Sequence, residues 1–314
     1  MDAVVAPKDR SAGLVVFGLL QVLLGFVCIG FTLLVAAATE FATNAPATAP
    51  SGADLAGAMV VYALAAVYFL SAGVGSIRGR RWARALSVVV SALWMAGGAV
   101  ATVMVAILLP KMREALPAAG SPAMMSGCAI GGMLVAGVLL PLGLFLFYRS
   151  PHVLATCERR DPKPRWTDRV PLPVLAVVIV LAFASVALLA SLAKPVLPLA
   201  GTVLTGAPAV LTLLSLSFLS AFLAVQLYRL KESAWWTLVL LQVIGCVIGV
   251  LTLTRLDEST AGTVPVAEIY RDPVFIAVLI ATWVAYFAFL LYLRRYFGRI
   301  VPRTRSGDYS TFSR

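Results

Sequence analysis

The chain of 314 residues is 61% hydrophobic and only 12% charged, and its mean hydropathy is +0.96. Soluble domains carry about 25% charged residues, so this composition excludes a soluble globular protein. The formal net charge is +11 at pH 7. Nucleic-acid binding would need a clustered basic face on a folded domain. No loop of this chain is long enough to form one, so we expect no nucleic-acid partner.

Eight apolar runs follow one another along the chain, and none of them contains Asp, Glu, Lys, Arg or His. About 20 apolar residues cross the roughly 30 Å of bilayer hydrocarbon. The sequence therefore predicts an all-α integral membrane protein with transmembrane helices at residues 12–38, 55–77, 85–109, 124–148, 170–193, 209–228, 235–254 and 274–293. The first run is longer than the about 7–15 apolar residues of a signal peptide, so we predict a retained span.

Lys and Arg are concentrated in alternate connections between these runs. If the amino terminus is cytoplasmic, the cytoplasmic segments hold most of the 25 Lys and Arg, whereas the 14 Asp and Glu divide equally between the two sides. Cytoplasmic loops carry an excess of Lys and Arg, and aromatic rings mark the membrane interfaces. Tyr148, Tyr228 and Tyr292 stand just before basic residues at the ends of runs. The sequence predicts that both termini are cytoplasmic.

Short similarities relate the two halves of the chain. The sequence FLSA occurs at residues 69–72 and again at 218–221, and a basic loop with a following tryptophan comes after each copy. These matches predict two parallel four-helix repeats, residues 1–150 and 174–314, related by an axis along the membrane normal. Residues 151–173 would then form a cytoplasmic linker, in which several prolines interrupt any long helix.

Small residues predict close packing between helices. Glycines at GxxxG spacing or in adjacent positions occur in three spans: Gly97 and Gly98, Gly127 and Gly131, and Gly245 and Gly249. Such residues let helix backbones approach closely, and we predict packing inside the bundle rather than a dimer interface. Pro141 is expected to kink the fourth span. The apolar connection at residues 194–208 is expected to lie flat on the outer surface or to dip into the membrane.

The predicted spans carry no Asp, Glu, Lys, Arg or His, the side chains that most membrane enzymes and ion-coupled transporters place inside the bundle. A charge near the bilayer centre costs about 3 kcal/mol or more and is kept where function needs it. Its absence argues against proton relays, ion-coupled transport and intramembrane metalloenzymes. We therefore predict a protein that is not an enzyme, with no catalytic residues, no cofactor and no metal.

His152 and Cys157 in the linker come closest to a reactive or metal-binding pattern. A structural zinc site uses four ligands, and only Glu158, Asp161 and Asp168 are at hand to complete one. We therefore interpret His152 as an interfacial residue beside a proline. Four carboxylates in the last connection lack the spacing of a calcium loop and are interpreted as solvated: Asp257, Glu258, Glu268 and Asp272.

Two basic segments with tryptophans lie at predicted cytoplasmic helix ends. Their members are candidate contacts for membrane lipid headgroups or for a protein partner, at about 1 kcal/mol per cation: Arg78, Arg80, Arg81, Trp82 and Arg84 in one, and Arg165, Trp166 and Arg169 in the other. Alternatively, membrane orientation alone explains the first segment. We interpret the charges of the linker as a cluster that pairs internally and sets its shape, with a docking patch as the functional alternative: Asp161, Lys163, Arg165, Asp168 and Arg169.

The run TCERRDPKPRWTDRVPLPVL, after a span that ends FYRSPHV, resembles a junction in a family of bacterial multi-pass inner-membrane proteins. The loop GRRWARALS is similar to one in many small bacterial membrane proteins. No activity is assigned to that family. The resemblance therefore implies a location in the bacterial cytoplasmic (inner) membrane and carries over no functional residue.

Three functions remain open at this point. The absence of ionisable groups in the spans favours a non-enzymatic scaffold, partner subunit or lipid-binding protein. The first alternative is a transporter or channel for a neutral or hydrophobic molecule, with a path between the halves lined by Gln21, Ser71, Ser220, Gln226, Gln242 and Thr282. A continuous polar cavity would favour that alternative, and a tightly packed apolar seam would exclude it. The second is an enzyme at the cytoplasmic interface, which would need His152, Cys157 and nearby carboxylates to converge.

Overall fold

The computed structural model describes residues 8–42, 52–115, 122–200, 202–255 and 273–297. Its α-helices are α1 (Ser11–Ala42), α2 (Gly52–Ile77), α3 (Arg81–Ala115), α4 (Pro122–Leu134), α5 (Leu140–Arg149), α6 (Pro151–Arg160), α7 (Leu172–Ala190), α8 (Gly206–Tyr228), α9 (Glu232–Arg255) and α10 (Pro273–Leu293). Eight helical segments of the described residues are long and apolar enough to cross a membrane. The prediction of an all-α membrane protein with eight spans is confirmed, and helix ends differ from the predicted runs by a few residues.

We call the end of the bundle where α2 ends and α3 begins the basic end, because Arg81, Arg149, Arg165 and Arg229 all lie there. Two buried clusters lie towards this end, one in each half. The first contains Leu14, Val88, Leu144, Tyr148, Val153 and Cys157. The second includes Val174, Leu227, Trp235, Leu290 and Leu293. The division into two repeats stays a prediction.

Glycines allow α1 and α2 to pack closely along their length. An added Cβ at Gly73 would lie 2.7 Å from the carbonyl oxygen of Gly18, and one at Gly25 would lie 2.7 Å from the side chain of Leu70. Gly18 and Gly25 are seven residues apart on α1 and therefore share one helix face, which packs against α2. Backbone proximity of this kind drives helix association in lipid, where burial of apolar surface contributes little.

The fourth span consists of α4, a π-helical turn over Val135–Leu139, and α5. Pro141 lies two residues beyond the end of this turn, in the first turn of α5. A proline inside a helix lacks the N–H donor and clashes with the carbonyl four residues earlier, here that of Gly137. The wider turn accommodates this conflict, and the Leu140 N–H donates to the Val135 carbonyl. The π turn is a local widening of the helix, and the kink predicted at Pro141 stays a prediction.

The packing role predicted for the glycines is right at only some positions. An added Cβ at Gly98 would overlap the carbonyl of Gly137, and one at Gly249 would overlap the ring of Trp283. The other four predicted packing glycines have no atom of the described structure within 4 Å of an added Cβ: Gly97, Gly127, Gly131 and Gly245. For these four the prediction of packing inside the bundle is wrong, because GxxxG spacing permits close approach but does not place a helix opposite.

The connections contain regular structure that the sequence pattern did not predict. Pro151 begins α6 at its first turn, where a missing N–H costs nothing. The linker then continues through a 3₁₀ turn, Trp166–Arg169, to α7. Beyond α7, the connection expected to lie flat or to dip inward forms an antiparallel hairpin of β1 (Val196–Leu199) and β2 (Thr202–Thr205). The Ala200 N–H donates to Thr252 Oγ1 over 2.9 Å, which ties this hairpin to α9.

Candidate functional site

A cavity of about 810 Å³ lies between the two halves of the bundle. Helices α3 and α5 line it from one side, and α7 and α10 line it from the other. Its lining includes Val88, Ala92, Ala96 and Val103 of α3, Phe145 of α5, Leu172 and Val180 of α7, and Val278, Ala285 and Phe289 of α10. This volume falls within the roughly 300–1,000 Å³ of small-molecule sites.

Alanines at helical spacing create this space. Ala92, Ala96 and Ala99 lie on one side of α3, and Ala281 and Ala285 lie one turn apart on α10. Because their side chains are a single methyl group, the two helices can be neighbours without filling the volume between them. The lining on α3 runs from Val88 to Val103, which is about 22 Å of helix at 1.5 Å per residue. The cavity is therefore deeper than one leaflet, half of about 30 Å of hydrocarbon.

Thr282 and Tyr286 supply the polar atoms of the lining side chains. The Thr282 hydroxyl donates to the Val278 carbonyl of its own helix over 2.8 Å, so it presents little polarity to the cavity. The Tyr286 hydroxyl has no hydrogen-bond partner within the described part of the chain. A molecule held here therefore meets carbon almost everywhere.

The basic end of the cavity lies beside Arg149, a cation with no ion pair among the described residues. Phe145 lines the cavity, and Arg149 stands one helical turn later on α5. The Arg149 guanidinium lies over the Phe145 ring, 5.6 Å from its centroid. On the α7 side, exposed Arg169 precedes Leu172, another lining residue, by three positions.

Of the six residues predicted to line a polar path, the cavity is lined by Thr282 alone. Ser71 is exposed and donates to the Tyr68 carbonyl, and Gln242 donates to Cys246 Sγ. Ser220 and Gln226 lie elsewhere on α8, and the Gln226 Oε1 atom is buried without a partner among the described residues. Gln21 does not line this cavity either, so the polar path that these six residues were predicted to line stays a prediction.

Gln21 belongs to a buried polar network at the basic end. Its Nε2 donates to Ser87 Oγ over 2.9 Å, and the Tyr148 hydroxyl donates to its Oε1 over 3.3 Å. Ser76 Oγ lies 2.6 Å from the Tyr148 hydroxyl and bonds to the Leu14 carbonyl. One side chain from each of the first four spans takes part. The network joins those spans, a role that only Gln21, as a lone amide in an apolar run, could have suggested.

Linker carboxylates hold several of the arginines that were predicted to contact headgroups or a partner. Asp161, only 2% exposed, accepts bonds from both Nε and Nη2 of Arg165 at 2.8–3.2 Å. It also lies 3.7 Å from Arg80. Arg81 Nε lies 3.2 Å from Asp168, and its Nη2 lies 3.4 Å from Glu158. Of the five linker charges predicted to pair internally, Asp161, Arg165 and Asp168 are joined within the linker, and Asp161 and Asp168 also hold the loop between α2 and α3.

The remaining predicted headgroup contacts differ in exposure. Arg84 donates through Nε to the Tyr148 carbonyl over 3.0 Å, and Trp82 lies against Gly75. Arg78, Trp166 and Arg169 are exposed. These three keep their side chains available at the surface of the basic end.

Cys157 is fully buried in the first core cluster, and His152 is half-buried. Burial raises the pKa of the Cys157 thiol to about 11, so it is not a thiolate at neutral pH and this environment does not activate it as a nucleophile. Within the described ranges, no three His, Cys, Asp or Glu side chains are placed to share a metal ion. The carboxylates Asp257, Glu258, Glu268 and Asp272 lie outside the described residues.

No protein family, curated protein or solved structure matches the chain. The resemblance to bacterial inner-membrane proteins accordingly stays a prediction.

Replacing Asp161 with asparagine is expected to lower the stability of the first half by about 1–2 kcal/mol, between the value of an exposed pair and that of bonds to a buried charge. The bonds from Arg165 hold the pKa of Asp161 below its ordinary value. Its stabilisation is therefore present above about pH 4 and is lost as the pH falls further. Thermal unfolding of the detergent-solubilised protein across pH measures both effects.

Glu158→Gln is the matched control on the same linker helix. The Glu158 side chain also pairs with Arg81 but is 46% exposed, so we expect a change of less than about 0.5 kcal/mol. Equal melting temperatures for Asp161→Asn and the unmodified protein at pH 7 would show that the pairing seen around Asp161 does not hold the linker.

Proposed function

We propose that this protein is a non-enzymatic membrane protein that binds a lipid acyl chain in the cavity between its two halves. The observation that carries the proposal is the cavity itself, which is about 810 Å³ in volume and is lined by carbon apart from Thr282 and Tyr286. Lipid chains are the apolar molecules that surround every transmembrane helix. Their shape, long and narrow, matches a space that follows α3 for about 22 Å.

The chemistry of the bundle supports binding over the alternatives. A transporter with an aqueous path needs polar lining, and the residues expected to supply it face other directions, Thr282 excepted. An interfacial enzyme needs an activated group, and the buried Cys157 thiol has a raised pKa. An acyl chain requires neither a charge nor a catalytic residue.

We also propose that the basic end is cytoplasmic, in the inner membrane of a bacterium. The excess of Lys and Arg at this end supports that orientation. The resemblance of the linker to bacterial inner-membrane proteins supports the assignment to that membrane. The test is to fuse to the carboxyl terminus a fluorescent protein that becomes fluorescent only in the cytoplasm. A fusion protein that is inserted in the membrane but is not fluorescent would show the opposite orientation.

Filling the cavity is expected to expel the bound chain. Ala285 of α10 lines the cavity and is exposed to it, so a tryptophan at this position would occupy the empty space. We expect Ala285→Trp to reduce lipid retention at least about ten-fold. This requires a loss of only about 1.4 kcal/mol of binding free energy. Native mass spectrometry of protein purified in mild detergent with dioleoyl phosphatidylcholine measures the fraction of chains that carry a lipid adduct.

Ala288→Trp is the matched control, because Ala288 is also exposed on α10 but does not line the cavity. It should retain lipid as the unmodified protein does. Equal retention by the two tryptophan variants, or no adduct on the unmodified protein, would remove the support for chain binding at this site.

A further inference from the structure

We propose that the lipid in this cavity is an anionic phospholipid whose phosphate is bound by Arg149 at the basic end. This inference rests on the proposed function and names the headgroup that the site selects. Arg149 stands at the end of α5, one turn beyond Phe145, and its guanidinium lies over the ring of that lining residue at 5.6 Å. A chain that enters the cavity at this end passes Phe145 and leaves its headgroup beside Arg149.

Arg149 differs from the arginines that contact the linker in being free to bind an anion. Arg80, Arg81 and Arg165 already contact linker carboxylates, and Arg84 donates to a backbone carbonyl. Arg149 is exposed and makes no ion pair within the described residues. The linker carboxylates thus pair with three arginines at the basic end. Arg149 on α5 and Arg169 on the α7 side have no ion pair among the described residues, and of these two Arg149 contacts a cavity-lining ring.

The chemistry of this cation fits a phosphate. A guanidinium presents paired N–H donors that match phosphate oxygens, and such charge-assisted bonds are stronger than neutral ones. The aromatic face of Phe145 beneath it holds the planar group in place through a cation–π contact. A positive headgroup beside the phosphate would repel the guanidinium, so an anionic lipid is preferred over a zwitterionic one.

A lining residue that carries a hydroxyl lies at greater depth. Tyr286 lies seven residues before the end of α10, or roughly 10 Å along the helix. Its hydroxyl is the lining group without a partner in the described residues. The ester carbonyls of a phospholipid lie below the phosphate and are acceptors for such a hydroxyl.

Competition between two lipids tests the assignment. The full chain is purified in mild detergent, mixed with equimolar dioleoyl phosphatidylglycerol and dioleoyl phosphatidylcholine, and analysed by native mass spectrometry. One favourable cation corresponds to about a five-fold preference for the anionic lipid. We expect Arg149→Gln to lower this ratio to about one while the phosphatidylcholine adduct is retained, which also shows that the variant is folded.

Arg229→Gln is the matched control, since Arg229 follows Tyr228 at the end of α8 as Arg149 follows Tyr148 at the end of α5. It is exposed as Arg149 is, but within the described residues it makes no cation–π contact with a cavity-lining ring, so it should leave the preference unchanged. Equal adducts of the two lipids on the unmodified protein would overturn the headgroup assignment, as would the same drop for both arginine variants. In either case, loss of all adducts in Ala285→Trp would still uphold chain binding, so the two proposals fail separately.

Discussion

Replacing Gly98 with alanine is expected to abolish the packing of α3 against the fourth span. The Cβ of the alanine would overlap the carbonyl oxygen of Gly137, which is backbone of the π turn and cannot rotate away as a side chain can. Overpacking a core by one methyl group costs about 1–3 kcal/mol, and the rigid neighbour places this site at or above the upper value. Thermal unfolding in detergent and the yield of monodisperse protein measure the loss.

Two other glycines, Gly97 beside it in sequence and Gly137 opposite it in space, serve as comparisons for this prediction. Gly97 has no described atom within 4 Å of an added Cβ, so Gly97→Ala should be neutral or slightly stabilising, by up to about 1 kcal/mol. Gly137→Ala should be intermediate, because its Cβ would lie 3.2 Å from the Gly98 Cα. If Gly98→Ala melts at the same temperature as Gly97→Ala, α3 and the π turn are not in contact.

Replacing Trp235 with alanine is expected to cost about 3–5 kcal/mol, the usual loss for a large aromatic side chain in a packed core. Trp235 is 2% exposed and lies in the buried cluster of the second half. Its Nε1 donates to the Leu290 carbonyl over 2.8 Å and so joins α9 to α10. The variant should melt at a much lower temperature, with α10 losing its attachment at the basic end.

Trp236 provides the control for this effect. The Arg294 guanidinium lies 5.7 Å from the Trp235 ring and 5.6 Å from the Trp236 ring, so either substitution loses one cation–π contact. Trp236 is 51% exposed, however, and its replacement by alanine should cost less than about 1 kcal/mol. A comparable loss for both variants would mean that the cation–π contacts, rather than burial of Trp235 between α9 and α10, hold these helices together.

The sequence by itself determined the number, approximate ends and type of the spans. It could do so because each helix must present about 20 apolar residues to hydrocarbon whatever its neighbours are. It also determined that the basic residues collect at alternate helix ends, where Arg81, Arg149 and Arg229 stand. Both properties depend on contact with the membrane or with water rather than on neighbouring helices. A short segment of sequence is therefore enough to predict them.

The tertiary structure decided which residues touch. Gly98 and Gly97 are indistinguishable as letters, yet only Gly98 meets another backbone, because a rotation of about 100° separates adjacent positions on a helix. The pairing of Asp161 with Arg80 and Arg165 likewise depends on how α6 docks. The candidate site is likewise a property that only the tertiary structure decided. Its alanines are ordinary in sequence, and only the placement of α3 opposite α10 leaves an apolar space between them, with Arg149 beside Phe145 at its mouth.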